Sequence, residues 1–300
     1  TADIPPARTY NPGVPDGVEA ILARALERHP GRRFASAAAM GEACEHFLYD
    51  KGYGPTNLTL KPYLTSIFGT PQRANMTVVE TGKGAPAGYS APGVLFVSSS
   101  AAGREPSQRL LANQVTRQWY GNLVSPASRN HIWIANGTAK YAEILYQEHV
   151  NGASVMEGEI RDLYVDAMTV TDAPVLQAAR FEDYSPEFFA VTGSKGAATI
   201  HMLRGVLGDE GFWKLLKAIP DQFANKQITT DDYRKVAESI AKQNLQGFFI
   251  QWLESTGAPE FKTEYTVYRT QKGFRIRGKI TQDLDTFRMP VELRIETEGN

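Results

Sequence analysis

Asn113, Gln114 and Arg117 stand at i, i+1 and i+4 of a stretch with helical periodicity, and Asn136 follows after eighteen intervening residues. This spacing brings two side chains to one helix face and a third from a later helix. As chemistry the four groups bind hydrogen-bonding partners and not metals: a carboxamide is a feeble zinc ligand, and a guanidinium is permanently charged with no lone pair to give. Two uses remain open for the four groups. They can fill a cavity as a polar network in which Asn136 and Gln114 satisfy the donors of Arg117, or offer the arginine fork to a peptide carboxylate or main chain. A buried arginine without an acidic partner is costly, so either use requires a carboxylate nearby or access to water.

Several elements must position these groups. Apolar spacing predicts helices over 16–28, 37–49, 60–68, 107–120, 137–149, 156–167, 194–207, 209–219, 230–243 and 246–253. Ser36 is the expected N-cap of the second, and Thr230, ahead of Asp231 and Asp232, the expected start of the ninth. Gly69 should end the third. Strands are predicted over 76–80 and 93–97, separated by a Gly/Pro-rich loop. A hairpin is expected around Gln271-Lys272-Gly273, with a further strand over 291–295.

Composition narrows the function classes. Of 300 residues, 42% are hydrophobic and 22% charged, enough for a sizeable core. Thirty-two basic residues against thirty-three acidic ones give no global field for nucleic acid. No apolar run approaches membrane-spanning length. Cys44 is the single cysteine, and the five histidines are scattered without ligand spacing, although His131 lies close enough to Asn136 to face the same pocket. Both ends read as cut from a longer chain.

The stretch Gln118-Trp119-Tyr120-Gly121-Asn122-Leu123-Val124, with Ala135-Asn136-Gly137-Thr138-Ala139 beyond it, resembles the gluzincin zinc aminopeptidases of the membrane-alanyl-aminopeptidase family. That family writes H-E-x-x-H-Q-W-(F/W)-G-N-L-V, then places a glutamate after eighteen further residues in an N-E-G-F-A setting. Lys195-Gly196-Ala197 resembles its Y-x-K-G element, and Phe248-Phe249-Ile250-Gln251-Trp252 its F-F-x-Q-W. The resemblance covers roughly residues 62–300. It implies an α+β, mainly helical chain: a thermolysin-like domain with an N-terminal β segment and a partial C-terminal β domain. It also implies that Asn113 and Arg117 stand at the histidine ligands, Asn136 at the glutamate ligand and Gln114 at the general base. Gly193 stands at the tyrosine that helps stabilise the tetrahedral intermediate. The G-A-M-E-N loop falls near Ala87–Ala91, without its glutamate.

Ahead of this region, Ala25-Leu26-Glu27-Arg28-His29-Pro30-Gly31-Arg32-Arg33-Phe34-Ala35-Ser36-Ala37 resembles the last helices of a bacterial Ser/Thr protein kinase C-lobe, with His29 where that family has aspartate. The expected organisation is a kinase-tail-like segment at 1–60, an aminopeptidase-type domain at 61–257 and the start of a β-sandwich-like domain at 258–300. The expected function is a non-catalytic aminopeptidase-like module, with no metal or cofactor, that binds a peptide or protein in the old groove. The alternatives are an active zinc peptidase with other ligands, or a regulatory extension of a kinase. A kinase context favours the cytoplasm.

Overall fold

The computed structural model describes residues 4–49, 57–71, 76–102, 107–289, 291, 293 and 295. Two helices come first, α1 (Asp16–Ala25) and α2 (Ala37–Tyr49). The Ser36 hydroxyl caps α2 by accepting from the Ala39 amide at 3.1 Å. Helix α3 (Asn57–Phe68) ends at Gly69, whose φ of +85° suits a residue without a Cβ. Leu60 and Leu64 of α3 lie in the main core, so the domain boundary expected at 60/61 falls inside this helix.

A three-stranded sheet follows, built from β1 (Thr77–Thr81), β2 (Gly88–Ala91) and β3 (Val94–Ser98) in the order β1-β3-β2. β3 pairs in parallel with β1 and antiparallel with β2, which makes β2 an edge. The segment between the two expected strands is therefore not all loop. β2 was hidden because Gly88 and Ser90 are poor strand formers, and cross-strand pairing overrides their propensity.

A short turn, α4 (Ser99–Ala102), precedes α5 (Gln108–Thr116), and α6 (Trp133–Asn151) and α7 (Met156–Ala167) come next. α5 stops at Thr116, four residues before the end expected at 120, and Arg117 is its C-cap. α6 starts at Trp133, earlier than 137. A single turn, α8 (Pro186–Phe189), leads through a π-helical segment, Ala190–Lys195, into α9 (Gly196–Phe223). The run is interrupted at Gly208, whose φ of +66° and ψ of 166° are not helical, so it divides where the two helices expected over 194–207 and 209–219 meet. β4 (Val124–Pro126) and β5 (Lys226–Ile228) form a short parallel pair that apolar alternation did not reveal.

In α10 (Thr230–Ala241) the cap lies one residue earlier than expected. Thr229 and Asp232 form a capping box. α11 (Gln246–Phe249) runs into a π-helical turn, Ile250–Glu254. The core interleaves Trp133, Tyr141 and Leu145 of α6 with Ile200, Phe212 and Leu215 of α9 and Tyr233 of α10.

The C-terminal hairpin is longer than expected, with β6 (Phe261–Thr270) paired to β7 (Gly273–Gln282). Register places Phe261, Tyr265, Val267, Phe274, Ile276 and Ile280 on one face, and all six are exposed. Of the strand expected over 291–295, residues 292 and 294 lie outside the described residues. Val291, Leu293 and Ile295 are exposed and carry no strand. The chain is thus mixed α and β, and mainly helical.

Candidate functional site

Helices α5 and α6 pack side by side and carry Asn113, Gln114, Arg117 and Asn136 to one wall of a cavity of about 1180 Å³. All five residues singled out from the sequence line it, Gly193 included. Two glycines permit the close approaches behind it. A Cβ on Gly137 would lie 2.7 Å from the Gly196 carbonyl carbon, so only glycine lets α6 meet the start of α9 here. A Cβ on Gly88 would lie 2.8 Å from Cγ of Gln114, so any larger residue here would make that side chain shift under β2.

The polar groups form one chain. Arg117 donates from Nε to Oδ1 of Asn113 at 3.0 Å and from Nη1 to Oδ1 of Asn136 at 2.8 Å. Asn136 donates from Nδ2 to the Thr192 hydroxyl at 3.0 Å, and Thr192 donates to the Phe188 carbonyl at 2.7 Å. Asn113 donates from Nδ2 to Oε1 of Glu143 at 2.7 Å, and Lys140 reaches Oε2 of Glu143 at 3.1 Å. Asn113 is the hub, since Gln114 also donates to its Oδ1, at 3.3 Å. The expected role of Gln114 as an acceptor for Arg117 is therefore corrected. Its Oε1 is buried without a partner among the described residues, because β2 folds over it.

Burial pushes the Arg117 guanidinium below its ordinary pKa, while the charge of Glu143 and the Tyr184 phenol act in the opposite direction. Glu143 is the acidic neighbour that a semi-buried arginine requires. The sequence pass missed it. Positions 136, 140 and 143 follow the i, i+4, i+7 spacing of one helix face, a signal that would have found it. Thr192, Tyr184 and Phe189 were also missed as site residues. Thr192 sits in the π-helical segment and Phe189 beside it, a backbone irregularity that apolar periodicity does not mark, while Tyr184 lies in the loop ahead of α8.

His131 turns away from the cavity. Its Nδ1 lies 3.0 Å from the Thr230 hydroxyl and accepts from the Thr230 amide at 3.2 Å, and burial lowers its pKa. The fit to zinc is poor on donor chemistry. The carboxamide oxygens of Asn113 and Asn136 already accept from a cation, and Arg117 has nothing to coordinate with. Among the described residues no group of three or more His, Cys, Asp or Glu side chains is placed to hold a metal ion.

The residues just past Arg117 tie the site to the fold. Gln118 donates from Nε2 to the Ser90 hydroxyl at 2.7 Å and to the Ala91 carbonyl at 3.0 Å, and it accepts from the Gly93 amide at 2.8 Å. Trp119 donates to the Gly69 carbonyl at 3.0 Å, and Tyr120 to the Leu216 carbonyl at 3.0 Å. They hold α5 against the edge strand, α3 and α9 around an open groove.

The chain belongs to Peptidase family M1: that family's domain matches residues 92–252, more than half of the chain. Aminopeptidase N of Lactococcus lactis subsp. lactis is 29% identical over 191 residues, which are 60% of this chain and 22% of that protein. Aminopeptidase M1-B of Oryza sativa subsp. japonica is 25% identical over 166 residues, 54% of this chain and 19% of that one. The chain thus spans about a fifth of the length of these curated relatives. Among solved structures, an M1 zinc metallopeptidase from Deinococcus radiodurans matches with a TM-score of 0.58 at 19% identity, over 67% of this chain and 44% of that one. Yeast LTA4 hydrolase matches with a TM-score of 0.57 at 18% identity, over 67% of this chain and 34% of that one. At such identities the structural likeness concerns the fold. No helix among the described residues is long and apolar enough to cross a membrane.

Proposed function

We propose that this chain is a metal-free member of Peptidase family M1 that binds peptides in its groove without hydrolysing them. The observation that carries the reading is the engagement of Arg117. Two carboxamides hold its cationic fork where the family resemblance puts the zinc ligands. The charge once supplied by a metal is then supplied by the guanidinium, and no base is available to activate water, since Gln114 has no proton-accepting group. Gly193 leaves open space where the resemblance puts an intermediate-stabilising tyrosine. The site is degenerate at every position that would do chemistry.

Peptide binding is favoured by what remains. The cavity, about 1180 Å³, exceeds the span of about 300–1,000 Å³ usual for small-molecule pockets. Its rim includes Gly88, Tyr89 and Ser90 of the edge strand, whose outer backbone groups suit an extended chain. The Deinococcus radiodurans relative has been solved bound to a Tyr-Ser-Ala substrate, which supports a peptide-sized occupant.

The test combines metal analysis of the purified protein, hydrolysis of aminoacyl substrates and calorimetric titration with short peptides. The reading expects zinc far below one per chain, no turnover, and binding with the peptide recovered intact. Stoichiometric zinc with turnover would instead establish the competing reading, an active peptidase with other ligands.

A second reading concerns the front of the chain. Its kinase-like motif lies on α1 and α2, and no residue of α1 is buried. Arg33 donates from Nε to the Glu27 carbonyl at 2.5 Å, a local bond that needs no distant partner. This pair is proposed to be the end of a kinase C-lobe and the peptidase-family domain its regulatory extension. The idea fails if the reading frame upstream encodes no kinase.

A further inference from the structure

We propose that the groove selects the carboxyl-terminal end of a peptide, with its carboxylate on Arg117 and an aromatic or large apolar side chain against Tyr184 and Phe189. The inference rests on the peptide-binding reading above and adds polarity and side-chain preference to it.

The polarity follows from which charges are engaged. Arg117 uses Nε and Nη1 within the protein, while Nη2 has no hydrogen-bond partner among the described residues and is not fully shielded. It is a cationic donor on the cavity wall, matched to a carboxylate oxygen. The carboxylates that could hold an ammonium group are mostly occupied. Glu143 is bonded to Asn113 and Lys140, and Asp183 lies 2.8 Å from Arg129. Asp166 is the lining carboxylate without such an ion pair among the described residues, and it stands exposed on the rim. Arg117 and Lys140 share the α5–α6 wall with Glu143, while the other two lining carboxylates, Asp166 and Asp183, lie away from that wall, so a carboxylate meets the cations first there.

The side-chain preference follows from strained backbone. Tyr184 has φ +63°, a left-handed conformation that a bulky residue adopts only when its surroundings force it. They do so here on both sides. Asp183 is pinned by Arg129, and the Ser185 hydroxyl caps α8 by accepting from the Phe188 amide at 3.1 Å. The strain serves no packing, because Tyr184 is 65% exposed and Phe189 44%. Their rings stand 6.2 Å apart at 56° and both line the cavity. Such a pair, exposed at the cavity wall, is arranged to receive an apolar group.

Four peptides test this by calorimetry, with mass spectrometry to confirm that each stays intact: Ala-Ala-Ala-Phe, its carboxyl-terminal amide, its amino-acetylated form, and Ala-Ala-Ala-Gly. Amidation should weaken binding about tenfold or more, and replacing the terminal Phe by Gly several-fold, while acetylation leaves affinity within about twofold. The variant Tyr184→Gly should bind Ala-Ala-Ala-Phe several-fold more weakly yet melt no lower than the parent, since glycine relieves the backbone. Acetylation that costs as much as amidation would overturn the polarity. Unchanged affinity in Tyr184→Gly would overturn the aromatic contact. If none of the four peptides binds, the peptide-binding reading itself falls.

Discussion

Replacing Asn113 tests the network on which the metal-free reading depends. Asn113 receives bonds from Arg117 and Gln114 and gives one to Glu143, at 3.0, 3.3 and 2.7 Å. Two of the three partners are charged, and a hydrogen bond to a charged group contributes about 1.5–3 kcal/mol. Water from the open cavity can refill part of the gap, so the low end applies to each, about 3 kcal/mol for Asn113→Ala. For a domain of this size each kcal/mol moves the melting temperature by about 2–4 °C, giving a fall of about 6–12 °C in a calorimetric melt. Asn113→Asp is the sharper variant. It keeps an acceptor for Arg117 but sets a second carboxylate against Glu143 where a donor stood. One of the two must then bind a proton at a pH above the usual carboxylate range. The folded state holds that proton before the unfolded state does, so this variant should gain stability relative to the parent as the pH falls from 7 toward 5. A melting temperature within about 2 °C of the parent for Asn113→Ala, or an Asn113→Asp protein as stable as the parent at pH 7, would refute the network as the support of the site.

Three further outcomes follow from neighbouring contacts. Gly137→Ala should destabilise by about 1–3 kcal/mol in urea unfolding, because the new methyl meets Gly196 backbone at 2.7–2.9 Å; a neutral result would mean that α6 and α9 can part freely. Gln114→Leu removes a buried acceptor with no partner at the loss of one long bond to Asn113, so it should raise stability by about 1 kcal/mol; a clear loss would show that Oε1 is satisfied in solution. Burial lowers the pKa of both His131 and His201 from the ordinary 6.5. As pH falls, the unfolded chain therefore takes up protons before the folded one, and stability present above pH 6.5 is lost below it. The melting temperature should drop between pH 7.5 and 5.5, and the double variant His131→Gln with His201→Gln should flatten that slope; an unchanged slope would assign the effect to other groups.

The legible parts of the fold were those with strong local signals. α7 was readable to the residue because its apolar positions, Met156, Ile160, Leu163, Tyr164 and Ala167, repeat at helical spacing. β2 and the parallel β4–β5 pair were not readable, since strands of three or four residues are defined by partners far away in sequence. The end of α5 was misplaced because Gln118, Trp119 and Tyr120 suit a helix in composition, but their side chains bond to three different elements outside it. In the site, the family resemblance pointed to Asn113, Gln114, Arg117, Asn136 and Gly193, and all five line one cavity. The resemblance could not place Tyr184, whose position depends on a left-handed backbone angle that no residue type announces.

The same contacts account for which letters of the family pattern persist in this chain. Gln118 and Trp119 match that pattern, Tyr120 stands where it has Phe or Trp, and each carries a hydrogen bond from the end of α5 to a different element. Removing any of them would strand a buried donor or acceptor, at about 1–3 kcal/mol each. Positions 113, 114, 117 and 136 face a cavity and bond mainly to one another, so a single loss is costly but another mutually satisfied set could replace them together. Selection for the fold alone would hold the first set and release the second. A likeness built mostly on anchoring residues therefore reports the frame and is silent on the reaction. In this chain the reaction must be judged from the groups that face the cavity, among them a bonded guanidinium, its carboxamide partners, the Glu143–Lys140 pair and two aromatic rings.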